Sequence, residues 1–500
     1  EPPPQQNVSV PVPVRAAWDL NQIGNIPTQL AEPPKFQPQE LLGRSEACEA
    51  VKWVARNNCL QRITQDHAMF AFLVAAGHVR SGKTRMGIET PRLVAECMNE
   101  PQFRHLNILP PLYLKVDFLN GCKFDRRFDT SEVASSISLG ARLMYAFYGT
   151  APGMEGTGRM LKDISHDHAI HHIVSKRLAF FSAAGQQGIL PLVIHFDEHG
   201  EFTKECNEGR SHFIDMLRAI GSAVTSSPML RVEGGLQGRF FIVPITSGTS
   251  RRDANIGGVS SYQVRQLKLP ALSFENSQEL AREYFRLHHV ASSDVTIQKE
   301  LNLQAFRVGL ADTGGLPGLI GMLCLQISPT GSYSQGLQDV ISSYVSMSDI
   351  EWKSRWPKLA TFVLARPDVD EDTIIDGDYT VSKARDSGTI LFLDNEIGLA
   401  PVFFRILNCT NHFVNPLLLK HISTMEVWTW QDFEKAHALY LSAVMGALLT
   451  EHQRFQNVRL KNLLRYAKPE DCKYLNCAME LPQTFNTLIA TTEEHQSIPK

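Results

Sequence analysis

No apolar run in the chain approaches the ~18 residues that a membrane-spanning helix needs, so a soluble protein without a membrane partner is expected. Cysteine is sparse and odd in number, nine in 500 residues, with no C-x-x-C pair. That usage argues against a disulfide scaffold and for reduced thiols in a cytoplasmic or nuclear compartment. Charge of one sign is lacking too: a net charge of −3 gives no global attraction for nucleic acid, so any such contact would be a local patch. An initiating Met and a charged-then-apolar leader are also missing, since the chain begins at Glu1. A removed N-terminal region or a fragment is expected, and targeting is not read from it.

What is present is organised around Phe70–Thr84, FAFLVAAGHVRSGKT. The apolar run up to Ala76 is rich enough in Val, Leu and Phe for a central parallel strand. The next eight residues, Gly77, His78, Val79, Arg80, Ser81, Gly82, Lys83 and Thr84, match G-x-x-x-x-G-K-[ST] at every fixed position. Glycines let successive N–H groups curl around a phosphate chain, and the following helix starts at the anion with its positive end. Lys83 is placed to reach the β- and γ-phosphates of ATP, and the Thr84 hydroxyl to ligate Mg²⁺. An ordinary glycine turn between strand and helix is the alternative.

Around this loop, residues 1–38 form a Pro-rich, linker-like lead. An amphipathic helix capped by Ser45 follows. Strands are expected at Leu112–Phe118, Ile189–Phe196, Phe240–Ile245 and Gln266–Leu269. Between them lie helices at Lys83–Asn99, Ser131–Tyr148, Ala169–Ala184 and Ser211–Val224. Strands alternating with helices predict a parallel α/β sheet of the P-loop NTPase kind over residues 39–271. A helical lid over 272–330 follows, with helices up to Leu287, at Ile297–Leu310 and at Leu316–Ile327. Residues 331–468 read as helices plus a strand pair, Thr389–Leu393 with Pro401–Leu407, in a winged-helix-like layout, with a further helix at Trp428–Met445. Residues 469–500 read as an irregular tail.

The chemistry is expected at strand ends. Asp197 closes the third strand as a Mg²⁺-shell carboxylate, and Glu198 is positioned to polarise an attacking water; a solvated turn is the alternative. Asp197-Glu198-His199-Gly200 is not a helicase D-E-x-H box, because the histidine falls one position early. After the fourth strand, Thr246 is a candidate γ-phosphate sensor and Arg251 a candidate cation for the transition-state charge. Against these stands a plain Ser/Thr-rich loop with solvated arginines. His168 and His172, one helical turn apart beside Asp167, have a metal-compatible spacing, although a polar helix start explains them as well. Glu201-Phe202-Thr203-Lys204 has one residue too many for a nuclease E-x-K, and no N-K-x-D base-reading motif for GTP occurs.

Taken together, these residues resemble the ATPase class related to origin-recognition and AAA+ proteins, in particular the STAND signal-transduction ATPases. Leu42-Gly43-Arg44-Ser45-Glu46 resembles the G-R-E lead that lies near adenine, which implies a nucleotide contact for Arg44. Thr249-Ser250-Arg251 resembles the arginine after their fourth strand. Leu272-Ser273-Phe274-Glu275 resembles their L-S-x-E lid start, and Gly314-Gly315-Leu316-Pro317 their G-G-x-P lid motif; Gly318 stands where that class carries a basic residue. Val193–His199 is similar to the H-hydrophobic-D-E strand of Crinkler effectors and retrotransposon-hot-spot proteins. The resemblance implies a RecA/AAA+-like additional-strand sheet and an ATP- and Mg²⁺-dependent switch that controls an attached or partner effector. It further implies action in a nucleus, with delivery to a host cell if the chain is an effector. Self-association is plausible for the class. A rival reading is a DNA-binding or interaction scaffold with a structural nucleotide site, carried by Arg454, Arg459, Lys461, Arg465 and Lys468.

Overall fold

The computed structural model describes residues 41–76, 80–119, 135–148, 164–200, 207–227, 230, 235–248, 262–288 and 294–330. Beyond these it describes short stretches between 359 and 398, and residues 444, 458–459 and 478–479. Five strands, β1 (Ala71–Ala76), β2 (Leu112–Asp117), β3 (Leu190–Asp197), β4 (Phe240–Gly248) and β5 (Gln263–Gln266), form one sheet in the order β2-β3-β4-β1-β5. Every neighbouring pair is parallel. The chain is therefore an α/β protein whose loop-bearing strand β1 lies inside the sheet, flanked by β4 and β5.

Period-two alternation divides the strand side chains between two cores. Phe72, Leu114, Val116, Leu192, Ile194, Phe196 and Ile242 face one of them. Helices α3 (Ser135–Tyr148), α4 (His166–Ala183) and α5 (Asn207–Thr225) lie on that side. Leu73, Ala75, Val193, Phe241, Val243 and Ile245 face the other, under α1 (Ser45–Leu60) and α2 (Lys83–Met98). A fully buried side chain of this size stabilises by roughly 1.5–3 kcal/mol, so both faces are strongly determined by the strand sequences. Asn58 of α1 adds a polar tie: its amide donates to the carbonyls of Ala71 and Ile242 at 2.9 Å each, and its side-chain oxygen accepts from Ala71 N–H at 3.0 Å.

The second unit begins at Leu272 and has its own core of Ala281, Phe285, Ile297, Leu301, Phe306, Leu310, Ile320 and Leu323. It consists of α6 (Phe274–His288), α7 (Asp294–Leu301), α8 (Gln304–Asp312) and α9 (Pro317–Thr330). Ser273 caps α6 by accepting the Asn276 N–H at 3.2 Å.

Several expectations are corrected. Ile297–Leu310 is two helices, with Leu303 extended between them (φ −64°, ψ 129°). Leu301 and Phe306 both enter the lid core, yet five residues along one helix would turn them about 140° apart. Ser45 is not a cap; it is the first helical residue, and Arg44 takes the cap position without a side-chain cap bond. The fifth strand is Gln263–Gln266 rather than Gln266–Leu269, because Ala71 to Val74 of β1 pair with Gln263 to Gln266. Leu267 and Leu269 pack instead into the core under α1. The strand pair of the third region is Leu391–Leu393 with Glu396–Gly398, so its second strand falls where a loop was expected. Pro401–Leu407 lies outside the described residues, as do the Pro-rich lead and the tail beyond Met479. Of the expected helix Trp428–Met445, only Val444 is described.

Candidate functional site: a glycine loop between sheet and lid

The loop leaves β1 at Ala76 and returns at Arg80; Gly77, His78 and Val79 lie outside the described residues. Arg80 is left-handed (φ 67°), as is Gly82 (φ 94°), which precedes the first turn of α2. A non-glycine residue with such a φ costs on the order of 1–3 kcal/mol and is found where the surroundings impose it. Here they do. The Arg80 carbonyl accepts the Gly318 N–H of the lid at 3.1 Å, and the Arg80 guanidinium donates to the Met322 thioether at 2.9 Å. A Cβ on Gly318 would lie 2.6 Å from that of Arg80. Gly318 is therefore sterically confined: the loop's own arginine occupies the space against the lid.

Arg44 ties the same parts together from α1. Its guanidinium donates to the Ser81 carbonyl at 3.0 Å and to the Pro270 carbonyl, just before the lid. Burial lowers its pKa to about 10, which leaves it cationic at neutral pH.

A cavity of about 690 Å³ lies between the loop and the lid. Arg44, Arg80, Ser81, Gly82, Lys83, Thr84 and Arg85 line it, with Glu198 the one carboxylate among the described residues there; Leu41, Leu42, Leu269, Leu272, Leu280, Tyr284 and Leu287 also line it. Four cations beside an apolar wall suit a ligand with a polyanionic part and a flat apolar part. Glu198 follows directly on β3 and has φ 55°, which turns the chain as it leaves the sheet.

The Thr84 hydroxyl donates to Asp197 Oδ1 at 2.9 Å, so the two expected Mg²⁺ ligands meet. Asp197 receives three further contacts that the sequence reading missed. Ser247 donates to Oδ1 at 2.5 Å. Lys115 lies 2.9 Å from Oδ2 while also donating to Asp117 at 2.8 Å. His195 Nε2 is 3.7 Å from Oδ1 and 2.7 Å from Ser247 Oγ. Burial works against the charged form of Asp197, but His195, the Ser247 hydroxyl and Lys115 outweigh it and hold the carboxyl below its ordinary pKa. The signal for Ser247 was parity: Asp197 pairs with Ser247 and Phe196 with Thr246, so Ser247 shares the face of Asp197.

Thr246 consequently lies on the opposite face. It is 1% exposed, bonds His199 Nδ1 at 3.0 Å and is not among the cavity-lining residues. His199 stacks on Phe213 with ring centroids 5.4 Å apart, a packing role that accounts for the early histidine after Asp-Glu. Arg251 lies outside the described residues, as do Arg454, Lys461, Arg465 and Lys468 of the basic cluster; Arg459 falls in a two-residue strand. The His168 and His172 pair is a helix start. Ser165 caps α4 through the His168 N–H, His172 bonds the Tyr148 hydroxyl, and no group of three metal-ligating side chains occurs among the described residues. Among those residues, no helix is long and apolar enough to cross a membrane.

No family model matches the chain, and no curated protein matches it in sequence. Among solved structures it is similar to the Walker-type ATPase PABY2304 of Pyrococcus abyssi at 12% identity and a TM-score of 0.41, over 74% of this chain and 96% of that one. It is also similar to the ORC2 protein of Aeropyrum pernix, solved as ADPNP–ADP complexes, at 15% identity and a TM-score of 0.36, over 75% and 96%. The Aeropyrum pernix ORC1 protein in complex with DNA is similar at 11% identity and a TM-score of 0.34, over 75% and 94%.

Proposed function

We propose that the chain binds ATP with Mg²⁺ between the sheet and the lid, and hydrolyses it as a nucleotide-driven switch of the AAA+ kind. One observation carries the reading: Thr84 and Asp197 meet at 2.9 Å beside a cavity that joins Arg44, Arg80, Lys83 and Arg85 to a leucine-lined wall. Lys83 would bind the β- and γ-phosphates, and the apolar wall would take the base. A hydroxyl and a carboxylate are hard oxygen donors that suit Mg²⁺, which when bound neutralises charge on the phosphate oxygens. Glu198, on the cavity wall, would accept a proton from the attacking water. A role for Arg251 rests on its place in the sequence.

The switch part of the reading is supported by the lid's attachment to the loop through Gly318 and Arg80, and by the Arg44 bridge to Pro270. A ligand that contacts both units favours the arrangement in which both contacts are made. The STAND and Crinkler-like details, including control of an effector, self-association and a nuclear site of action, extend this proposal on the resemblance alone. In a calorimetric titration of the full chain with ATP and Mg²⁺, Lys83→Ala should abolish measurable binding, and unchanged affinity would remove the site assignment. Glu198→Gln should keep ATP bound while slowing turnover by about 10²-fold or more; equal turnover would take Glu198 out of its role.

A further inference from the structure

The face of the sheet that carries α2 is polar at its loop end. Tyr113, Lys115 and Asp117 of β2, His195 and Asp197 of β3, and Ser247 of β4 alternate with residues of the opposite core. Tyr113 O–H lies 2.7 Å from His195 Nδ1, His195 Nε2 lies 2.7 Å from Ser247 Oγ, and Ser247 Oγ lies 2.5 Å from Asp197 Oδ1.

The donors along this row are determined from its charged end. A carboxylate only accepts, so the Ser247 hydroxyl must spend its proton on Asp197. Ser247 Oγ is then the acceptor for His195, which places the ring proton on Nε2. In a neutral ring Nδ1 is therefore an acceptor, and the Tyr113 hydroxyl donates to it. The ring is fully buried, and burial favours its neutral form. Every group has one role, and reversing any bond would leave two donors or two acceptors face to face.

We propose that Tyr113, His195 and Ser247 are positioning residues for the metal–nucleotide site: a one-way hydrogen-bond chain that holds Asp197 Oδ1 toward the Thr84 hydroxyl. Lys115 completes the hold on Oδ2, so the carboxylate cannot rotate without breaking a bond at each oxygen. None of the three residues touches the cavity; they act through Asp197. The inference rests on the reading of the cavity as a nucleotide site.

The test is calorimetric binding of ATP to the full chain, once with excess Mg²⁺ and once with a chelator. If the wild-type chain binds no ATP under either condition, the nucleotide reading fails, and the chain has no site to serve. If it binds, Ser247→Ala should reduce the Mg²⁺-dependent gain in affinity by about tenfold, the order expected for a lost bond to a charged group. Affinity in chelator should stay unchanged. Ser247→Thr, which keeps a hydroxyl at that position, should recover most of the gain. Tyr113→Phe removes one oxygen at the far end and should lower the gain in the same sense, by less. An unchanged Mg²⁺ gain in Ser247→Ala overturns the proposal, and so does a Tyr113→Phe variant identical to wild type. Equal losses with and without Mg²⁺ would show a fold defect rather than positioning, and also overturn it.

Discussion

Gly87 gives the sharpest test of the packing beneath the loop. A Cβ built on it lies 2.1 Å from His195 Cε1 and 2.4 Å from both ring nitrogens. The ring cannot step aside, because Tyr113 and Ser247 hold its two nitrogens and it is wholly buried. Overpacking of this kind costs roughly 1–3 kcal/mol, and more where the neighbour is held. Alanine in mid-helix is worth about 1 kcal/mol over glycine, so Gly87→Ala should destabilise the chain by a net of up to about 2 kcal/mol. In a His195→Ala background the obstruction is absent and only the helix term remains; there Gly87→Ala should stabilise by about 1 kcal/mol. Urea denaturation of the four proteins of this cycle, at neutral pH, reads both numbers. The change of sign is the diagnostic outcome. If Gly87→Ala has the same effect in both backgrounds, the steric argument is refuted, and with it the placement of His195 under α2.

Other outcomes follow from the same geometry. His195 is neutral in the folded chain, with a pKa lowered to about 4 from 6.5, so as pH falls below 6.5 the unfolded chain takes up a proton first. Stability should therefore be complete above that pH and decline toward pH 4, by about 2 kcal/mol between pH 7 and 5 for this ring. A urea series on wild type and His195→Gln should show a shallower decline in the variant, and equal slopes would contradict the assignment. Gly318→Arg, which places a long basic side chain after the lid proline, should collide with Arg80; limited proteolysis should then cut faster near residues 270–272 than in wild type. Asn58→Leu leaves the Ala71 N–H and two strand carbonyls without their side-chain partner and should lower stability by about 2–4 kcal/mol. A loss below about 0.5 kcal/mol would mean that these bonds are not made.

The parts legible in the sequence were those whose chemistry is contiguous. Lys83 and Thr84 sit at constant spacing from Gly77, and the Asp197-Glu198 pair ends an apolar run. Glycine and proline punctuate the lid at 314–317. The partners of Asp197 are not contiguous. Lys115 and Ser247 reach it only because β2 and β4 flank β3, and strand order does not follow from chain order. Parity was available and would have favoured Ser247 over Thr246, since period-two alternation assigns the face before the neighbours are known. Helix ends were misread where a long-range bond overrides a local one. Ser45 is a good cap by type, but the Arg44 side chain is drawn to Ser81 and Pro270, and the helix starts one residue earlier, with Arg44 at the cap.

The brevity of β5 has a consequence for how the sheet ends. An edge strand offers unpaired N–H and C=O groups on which another chain could build, and proteins limit that hazard with short or charged edges. Among the described residues the edge is four residues long, Gln263 to Gln266, and the Arg265 guanidinium folds back over the Trp53 ring, 4.0 Å from its centroid. An incoming strand would find only a short run of backbone, next to a charged side chain held on an aromatic ring. Aggregation by strand addition is thereby disfavoured at the edge next to the strand that carries the glycine loop.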